Sequence, residues 1–197
     1  MSIGWIFLII IGVFLIMWFG WGILSPFIWE QPKYQVKEKL GKVQIREYAP
    51  TRILITETSF DGNAFGVLSS YIFGENKENQ KIAMTTPVLS ERNPENNSYR
   101  MVFFLPEKWK DRQLPTPKTG TNITFQTQDK KLIAAIRFYG LLSRRRRQNS
   151  ENILLNTLKR NGYFTLGQPF LFQYSDPFVP PPLRRNEVGI IVYKKED

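Results

Sequence analysis

The segment KIAMTTPVLSE, Lys81–Glu91, decides how the rest of the chain is interpreted. Its apolar residues Ile82 and Met84 alternate with small or polar neighbours, which is the two-residue period of a half-buried β-strand. Pro87 interrupts this pattern because proline has no N–H group to donate to a sheet. The segment therefore predicts a strand with a kink at Pro87, and its methionine face either packs in an ordinary core or lines a groove.

The elements around this segment occur in the same order twice along the chain. The first predicted unit has a strand at Arg52–Thr58, a helix at Ala64–Phe73, and strands at Ile82 and Tyr99. The second has a strand at Leu132–Tyr139, a helix within Ser143–Asn161, and strands at Gln168–Tyr174 and Val188–Tyr193. Two such units predict an α+β fold in which two helices pack on a largely antiparallel sheet.

The first predicted helix has a clear apolar face. Phe65, Leu68 and Ile72 recur at the i, i+3, i+7 spacing of helical residues on one side. Gly74 follows at the position where a glycine commonly ends a helix.

The composition excludes several classes of site. The chain has 197 residues with no cysteine and no histidine, which excludes disulfides, thiolate or histidine metal sites and Ser-His-Asp catalysis within it. The sequence has no P-loop and no GxGxxG motif, and the spacing of its acidic residues pairs no two carboxylates for acid–base chemistry. Glu187, next to Arg184 and Arg185, is predicted to form a structural salt bridge. We therefore predict a protein that is not an enzyme and has no metal site.

The charge of the chain is strongly positive. Its 27 Lys and Arg against 17 Asp and Glu give a net charge of +10. Such a surface suits anionic lipid, nucleic acid or an anionic small ligand. The sequence has no zinc-finger pattern, RNP1-like motif or long basic amphipathic helix, so nucleic acid is not a predicted partner.

The run Arg144–Arg147 is the most concentrated positive charge. Four consecutive helical residues point all around a helix, and arginines in a first turn oppose its dipole. The run therefore lies either in that turn or in a loop before an N-cap at Ser150. It is interpreted either as a solvated charge run or as a contact with anionic lipid headgroups. The residues of that contact are Arg144, Arg145, Arg146 and Arg147.

Residues 1–29 are predicted to form a transmembrane anchor and residues 30–197 a single domain. Ile3–Leu24 is almost continuously apolar, and about 20 helical residues at ~1.5 Å each cross a bilayer core. Trp5 near one end and Trp18 near the other are typical of aromatic belts. A cleaved signal peptide is the alternative, but the segment lacks the basic residues and the small-residue cleavage site of such a peptide.

The basic residues after the anchor predict its orientation. Lys33, Lys37, Lys39 and Lys42 follow the apolar segment closely, and only the α-amino group precedes it. Positive charge tends to stay on the cytoplasmic side. We therefore predict a single-pass membrane protein with its domain on the cytoplasmic face.

An apolar ligand groove is the binding site that the sequence favours. Aromatic residues make up 14% of the chain, which is enough to fill a core and still line a pocket. The candidate lining residues are Phe65, Leu68, Tyr71, Ile72, Met84, Phe172, Tyr174 and Phe178. The alternative for each of them is packing in the core.

Three segments, in order, resemble blocks of the SOUL haem-binding family. They are YIFGEN at Tyr71–Asn76, KIAMTTPVLSE at Lys81–Glu91 and RRNEV at Arg184–Val188. The resemblance extends from about Tyr34 to about Tyr193. It implies two pseudo-symmetric β-α-β-β repeats that form a distorted, barrel-like sheet with two main helices.

The same resemblance implies a ligand. Members of the family bind haem and other tetrapyrroles in a hydrophobic groove beside the first helix, so a non-covalent tetrapyrrole is expected here, in a carrier, buffer or sensor. Its propionates would meet basic residues at the rim. The candidates for that rim are Lys77, Lys81, Arg184 and Arg185.

Haem binding to this chain would differ from histidine-ligated binding. Met84, Met101 or a tyrosine could ligate the iron, but binding by apolar contact alone is simpler. One alternative function is a binding module for another apolar or anionic small molecule. The other is a protein-interaction scaffold whose groove takes a partner's amphipathic helix.

Overall fold

The computed structural model describes residues 3–59, 61–93 and 98–194. Within these ranges the helices are α1 (Ile3–Leu24), α2 (Asp61–Ile72) and α3 (Arg144–Arg160). The strands are β1 (Tyr34–Leu40), β2 (Val43–Tyr48), β3 (Thr51–Thr58), β4 (Val88–Asn93), β5 (Ser98–Phe104), β6 (Thr124–Gln128), β7 (Lys131–Tyr139), β8 (Tyr163–Gln173) and β9 (Arg185–Lys194). Short 3-10 helices lie at Ser25–Phe27, Glu107–Trp109 and Pro181–Leu183.

In the described part of the chain all nine strands belong to one sheet, in the order β1-β2-β7-β9-β8-β4-β5-β3-β6. Every neighbouring pair is antiparallel. The units β3-α2-β4-β5 and β7-α3-β8-β9 meet where β4 pairs with β8, and each unit carries one flanking strand, β6 or β2. The predicted α+β fold with two β-α-β-β repeats is confirmed. The sheet is open rather than closed into a barrel, with β1 and β6 at its edges.

Three apolar clusters hold the sheet and the helices together. Leu68 of α2 clusters with Leu54 of β3 on the first half of the sheet, and Leu158 of α3 clusters with Val188 of β9 on the second half. Successive side chains of a strand point to opposite faces. Ile53 therefore points away from α2 into a third cluster, which draws on both halves of the sheet.

The segment Lys81–Glu91 differs from its prediction, because its strand, β4, begins only at Val88. Ile82 is buried, as its alternation indicated. Its backbone N–H donates to the Ile72 carbonyl at the end of α2 (2.8 Å) rather than to a strand. The apolar alternation therefore predicted the burial of Ile82 correctly. It could not predict that the Ile82 N–H bonds to helix α2, because that contact depends on how the helix packs.

The arginine run Arg144–Arg147 lies in the first turn of α3. Ser143 is the N-cap of this helix, and its hydroxyl accepts a hydrogen bond from the Arg146 N–H (3.3 Å). Ser150 is buried within the helix, so the alternative placement of the run before an N-cap at Ser150 is wrong. The cap satisfies one of the first-turn N–H groups although the arginines there oppose the helix dipole.

Replacing Ser143 by alanine is expected to lower the free energy of unfolding by about 1 kcal/mol, because the Arg146 N–H loses its side-chain acceptor. Urea unfolding of the full-length chain in detergent, followed by circular dichroism, measures this change. Ser70→Ala, within α2, is the control and should leave the midpoint unchanged or slightly higher, since alanine is the better helix former. Equal midpoints for the two variants would contradict a capping role.

Helix α1 lies largely outside the three clusters. Segment Ile3–Phe27 has a mean hydropathy of 2.6, and it is long and apolar enough to cross a membrane, as signal sequences near an N-terminus also are. Its last two turns contact the loop between β8 and β9. The Trp18 indole N–H donates to the Phe178 carbonyl at 2.7 Å.

Candidate functional site

Helix α2 holds three of the predicted site residues inside the protein. Leu68, Tyr71 and Ile72 are all buried in the cluster with β3 and β5. The Tyr71 hydroxyl donates to the Pro115 carbonyl at 2.6 Å, and burial raises the pKa of Tyr71 to about 12. These side chains fix the position of the helix, and other protein atoms cover them.

Other apolar side chains on and after α2 remain accessible. Phe65 is 46% exposed, and its ring stands edge-on to Phe103 with 5.5 Å between the centroids. Phe73 is exposed at the end of the helix, and Met84 is partly buried against the same cluster. We use the term α2 surface for Phe65, Phe73, Lys77, Lys81 and Met84.

The basic part of the α2 surface follows the helix. Gly74, with a φ of 109°, turns the chain at the end of α2, and the Lys81 side-chain stem passes within 3.5 Å of where a Cβ on Gly74 would lie. Lys77 and Lys81 are both exposed. Neither ammonium group has an ion-pair partner among the residues described by the structure, so both can meet an anion near Phe73.

Phe172 and Tyr174 lie on the other side of the sheet from α2. Phe172 is wholly buried in the third cluster, where its ring lies 6.2 Å from that of Phe104. Tyr174 is buried beside it, and the Arg185 guanidinium stacks over its ring at 3.6 Å. The structure therefore does not bring these three predicted site residues together with Phe65.

Phe178 and Arg184 occupy a third region, the loop between β8 and β9. Phe178 is 75% exposed. The Arg184 guanidinium donates to the carbonyls of Pro177 (2.6 Å) and Val179 (2.9 Å). Arg184 thus braces its own loop, and the predicted ligand residues are divided among three places.

Glu187 is the centre of a buried charge cluster. Its carboxylate accepts hydrogen bonds from Arg46 (3.2 Å), Arg137 (3.0 Å) and Arg185 (2.8 Å), and the Tyr174 hydroxyl also donates to it (3.0 Å). The predicted salt bridge to Arg185 is confirmed, whereas Arg184 takes no part in it.

The pKa of the Glu187 carboxyl reflects two opposing effects. Burial alone would raise this pKa, but the hydrogen bonding and charge of Arg46, with the charge of Arg185, hold it at about 2. Burial raises the pKa of the Tyr174 phenol well above its ordinary value, so this hydroxyl remains a proton donor to the carboxylate. The arrangement is a structural ion cluster, ionised at neutral pH.

A depression that the sequence reasoning missed lies at the β1–β2 hairpin. Tyr34 and Tyr48 line it with ring centroids 5.0 Å apart, and Lys33 and Lys130 are also in its lining. Its volume is about 360 Å³. We call these four residues the tyrosine depression. Tyr34 and Tyr48 pair across the β1–β2 hairpin, and two tyrosines on either side of the turn at Gly41 were the sequence signal that could have indicated it.

The structure offers little to ligate a metal. Among the described residues, no group of three or more His, Cys, Asp or Glu side chains is placed to hold an ion. Of the two methionines considered as iron ligands, Met101 is buried in the α2 cluster and Met84 is partly accessible. An apolar contact is thus the interaction that the α2 surface can provide most directly.

Solved structures of other proteins share the fold. The C-terminal domain of EcmrR superimposes with a TM-score of 0.58 and 14% identity, covering 82% of this chain and 99% of that domain. A hydrolase from Listeria innocua gives a TM-score of 0.52 and 9% identity, covering 77% of this chain and 92% of the hydrolase. At these identities the likeness extends to the fold alone.

Sequence comparison identifies the family. Heme-binding protein 2 of Mus musculus is 25% identical over 185 residues, covering 82% of this chain and 85% of the mouse protein. Residues 29–191 match the sequence profile described as SOUL heme-binding protein. This match includes β1 to β8, α2 and α3 and most of β9, and the chain therefore belongs to the SOUL haem-binding protein family.

Proposed function

We propose that the chain is a non-enzymatic binding protein for haem or a related tetrapyrrole, acting as a carrier, buffer or sensor, and anchored in a membrane by residues 1–29. The observation that carries this proposal is the α2 surface, which keeps Phe65 and Phe73 accessible near two exposed lysines. Membership of the SOUL family and the name of the mouse relative support the ligand class.

Binding at the α2 surface uses apolar burial rather than a strong bond to iron. The chain has no imidazole to offer. A tetrapyrrole ring that covers Phe65 gains ~25 cal/mol for each Å² of apolar surface removed from water, and an aromatic pair adds ~0.5–1.5 kcal/mol. Lys77 and Lys81 hold the propionates at the exposed edge as point charges.

Replacing Phe65 by aspartate is expected to weaken haemin binding at least ~10-fold, or about 1.4 kcal/mol. The reason is that a carboxylate beneath an apolar ring loses its hydration and repels the propionates. The measurement is a haemin titration of the full-length chain in non-ionic detergent, followed by Soret absorbance.

The matched control for this titration is Phe164→Asp. Phe164 is 48% exposed, close to the value for Phe65, but it lies on β8 in the second half of the sheet. Phe164→Asp should bind haemin with the affinity of the unchanged chain. Both variants should have the circular dichroism spectrum of the unchanged chain, which shows that they are folded. The same affinity in Phe65→Asp and in the unchanged chain would remove the α2 surface from the proposal.

The membrane side of the proposal extends to the arginine run. The Gly140 N–H donates to the Arg184 carbonyl at 2.9 Å, so the segment before α3 lies beside the loop that contacts α1. Leu141 and Leu142 are exposed in that segment. This placement supports contact between Arg144–Arg147 and anionic headgroups, and the lysines after the anchor support a cytoplasmic domain.

The tyrosine depression favours a second candidate function, binding of another apolar or anionic small molecule. Its volume of about 360 Å³ lies within the range of ligand pockets. Lys33 and Lys130 in its lining are ion-paired with Glu107 and Glu47, so the tyrosine rings are the main support for a ligand there. Haemin binding that is insensitive to Phe65→Asp and weakened by Tyr34→Ala would move the site there. Haemin binding that does not saturate in the unchanged chain would favour the interaction scaffold.

A further inference from the structure

The loop Pro177–Leu183, which we call the proline loop, packs closely against the end of α1. In addition to the bond between Trp18 and the Phe178 carbonyl, Gly22 lies directly on the loop. A Cβ on Gly22 would stand 2.8 Å from both the Pro180 and the Leu183 side chains. The glycine thus allows a contact that a larger residue would prevent.

The position of Trp18 within α1 sets the depth of this contact. Trp18 lies inside Ile3–Phe27, the segment that is long and apolar enough to cross a membrane, and ~9 Å of α1 follows it. An α1 that crosses the bilayer with this segment therefore places Trp18 at the edge of the hydrocarbon core, beside the interfacial layer. The proline loop, which is hydrogen-bonded to Trp18, lies at the same depth.

The backbone of the proline loop is suited to such an environment, because its N–H groups and the carbonyls of residues 177–181 have partners on the chain itself. Its prolines have no N–H groups. The N–H groups of Phe178 and Val179 donate to the Asp176 side chain (2.8 Å) and carbonyl (3.3 Å). The Pro177 and Val179 carbonyls accept hydrogen bonds from the Arg184 side chain. The Phe178 carbonyl accepts one from Trp18. The Pro180 and Pro181 carbonyls accept hydrogen bonds from the N–H groups of Leu183 and Arg184, respectively.

This pairing suits a low-dielectric surrounding, since an unpaired backbone group is costly in lipid. A loop in water has no such need because water satisfies its carbonyls. The Phe178 side chain remains 75% exposed at the loop tip, where an aromatic ring suits the membrane interface.

We infer that the proline loop is a second membrane contact, which inserts Phe178 into the interfacial layer beside α1 and fixes the tilt of the domain on the bilayer. This inference rests on the anchor in the proposed function. It adds a lipid-contact role for Phe178, in a loop that Arg184 braces, distinct from tetrapyrrole binding at the α2 surface.

Because the chain has no cysteine, a single introduced cysteine is labelled at that position alone. We would place an NBD fluorophore on Phe178→Cys in the full-length chain and reconstitute it in phosphatidylcholine vesicles. Some vesicles carry nitroxide near the headgroup and others at the acyl-chain end. Phe14→Cys, in the middle of α1, tests the anchor. Phe164→Cys is the aqueous control, since β8 separates it from the loop by roughly 30 Å.

The label at position 178 is expected to show blue-shifted emission and stronger quenching by the headgroup-proximal nitroxide than by the deep one. The label at position 14 should show the reverse preference, and that at position 164 neither effect. If position 14 is quenched while position 178 behaves like position 164, the inference is overturned and the anchor stands. If position 14 itself is not quenched, the anchor fails and the inference fails with it.

Discussion

Replacing Glu187 by alanine is expected to lower the free energy of unfolding by about 3–5 kcal/mol. The change leaves the buried Arg46 guanidinium, whose side chain is 2% exposed, without its counter-charge. Arg137 and Arg185 lose the same acceptor, and the Tyr174 hydroxyl loses its partner. An uncompensated buried charge costs far more than the ion pair itself contributes.

The pH dependence of this effect separates it from a simple packing loss. Because the pKa of Glu187 is lowered from 4.5 to about 2, its ionised form stabilises the fold fully above about pH 4.5, and this stabilisation is lost as the pH falls toward 2. The difference in unfolding free energy between the unchanged chain and the variant should shrink over that window. Urea unfolding of the full-length chain in detergent at several pH values measures it.

Two further variants sharpen the test. Glu151→Ala removes a partly exposed carboxylate that pairs with Arg147, and its cost should stay under ~1 kcal/mol. Adding Arg46→Met to Glu187→Ala should restore part of the lost stability, since no unpaired charge is then buried at position 46. A Glu187→Ala chain as stable as Glu151→Ala would contradict the assigned cluster.

Replacing Phe172 by alanine is expected to cost about 3–5 kcal/mol of unfolding free energy. The ring is wholly buried where β8 pairs with β4, the junction of the two halves. It has aromatic neighbours 5.0–6.3 Å away, which are Tyr48, Phe104, Phe170 and Tyr174. Its loss leaves a cavity at the β4–β8 pair, which joins the two repeats.

Phe164→Ala is the control on the same strand, and its half-exposed ring should account for less than ~1 kcal/mol. The comparison also decides between the two interpretations of Phe172, as a ligand residue or as a core residue. A core residue changes the urea midpoint. A haemin affinity that drops in Phe172→Ala while the urea midpoint stays constant would instead assign Phe172 to the ligand site.

Local patterns were sufficient for the elements of the two repeats and their order. The i, i+3, i+7 spacing of Phe65, Leu68 and Ile72 predicted α2, and repeated element order predicted two similar units. These signals are short-range because the helix and strand periods are set by backbone geometry alone. The strand at Val88 was placed too early, because the Ile82 N–H bonds to α2 and not to a strand.

The site depended on long-range contacts. The sequence by itself determined the fold class, the apolar segment that forms α1 and the supply of aromatic side chains for an apolar site. Composition and periodicity are properties of the chain and need no tertiary contacts. The tertiary structure alone decided that Phe172 is buried, Phe65 half-exposed and Phe178 at a loop tip. Three phenylalanines are chemically identical, and only the packing of distant elements distinguishes them. The same holds for Glu187, whose partner Arg46 lies 141 residues away.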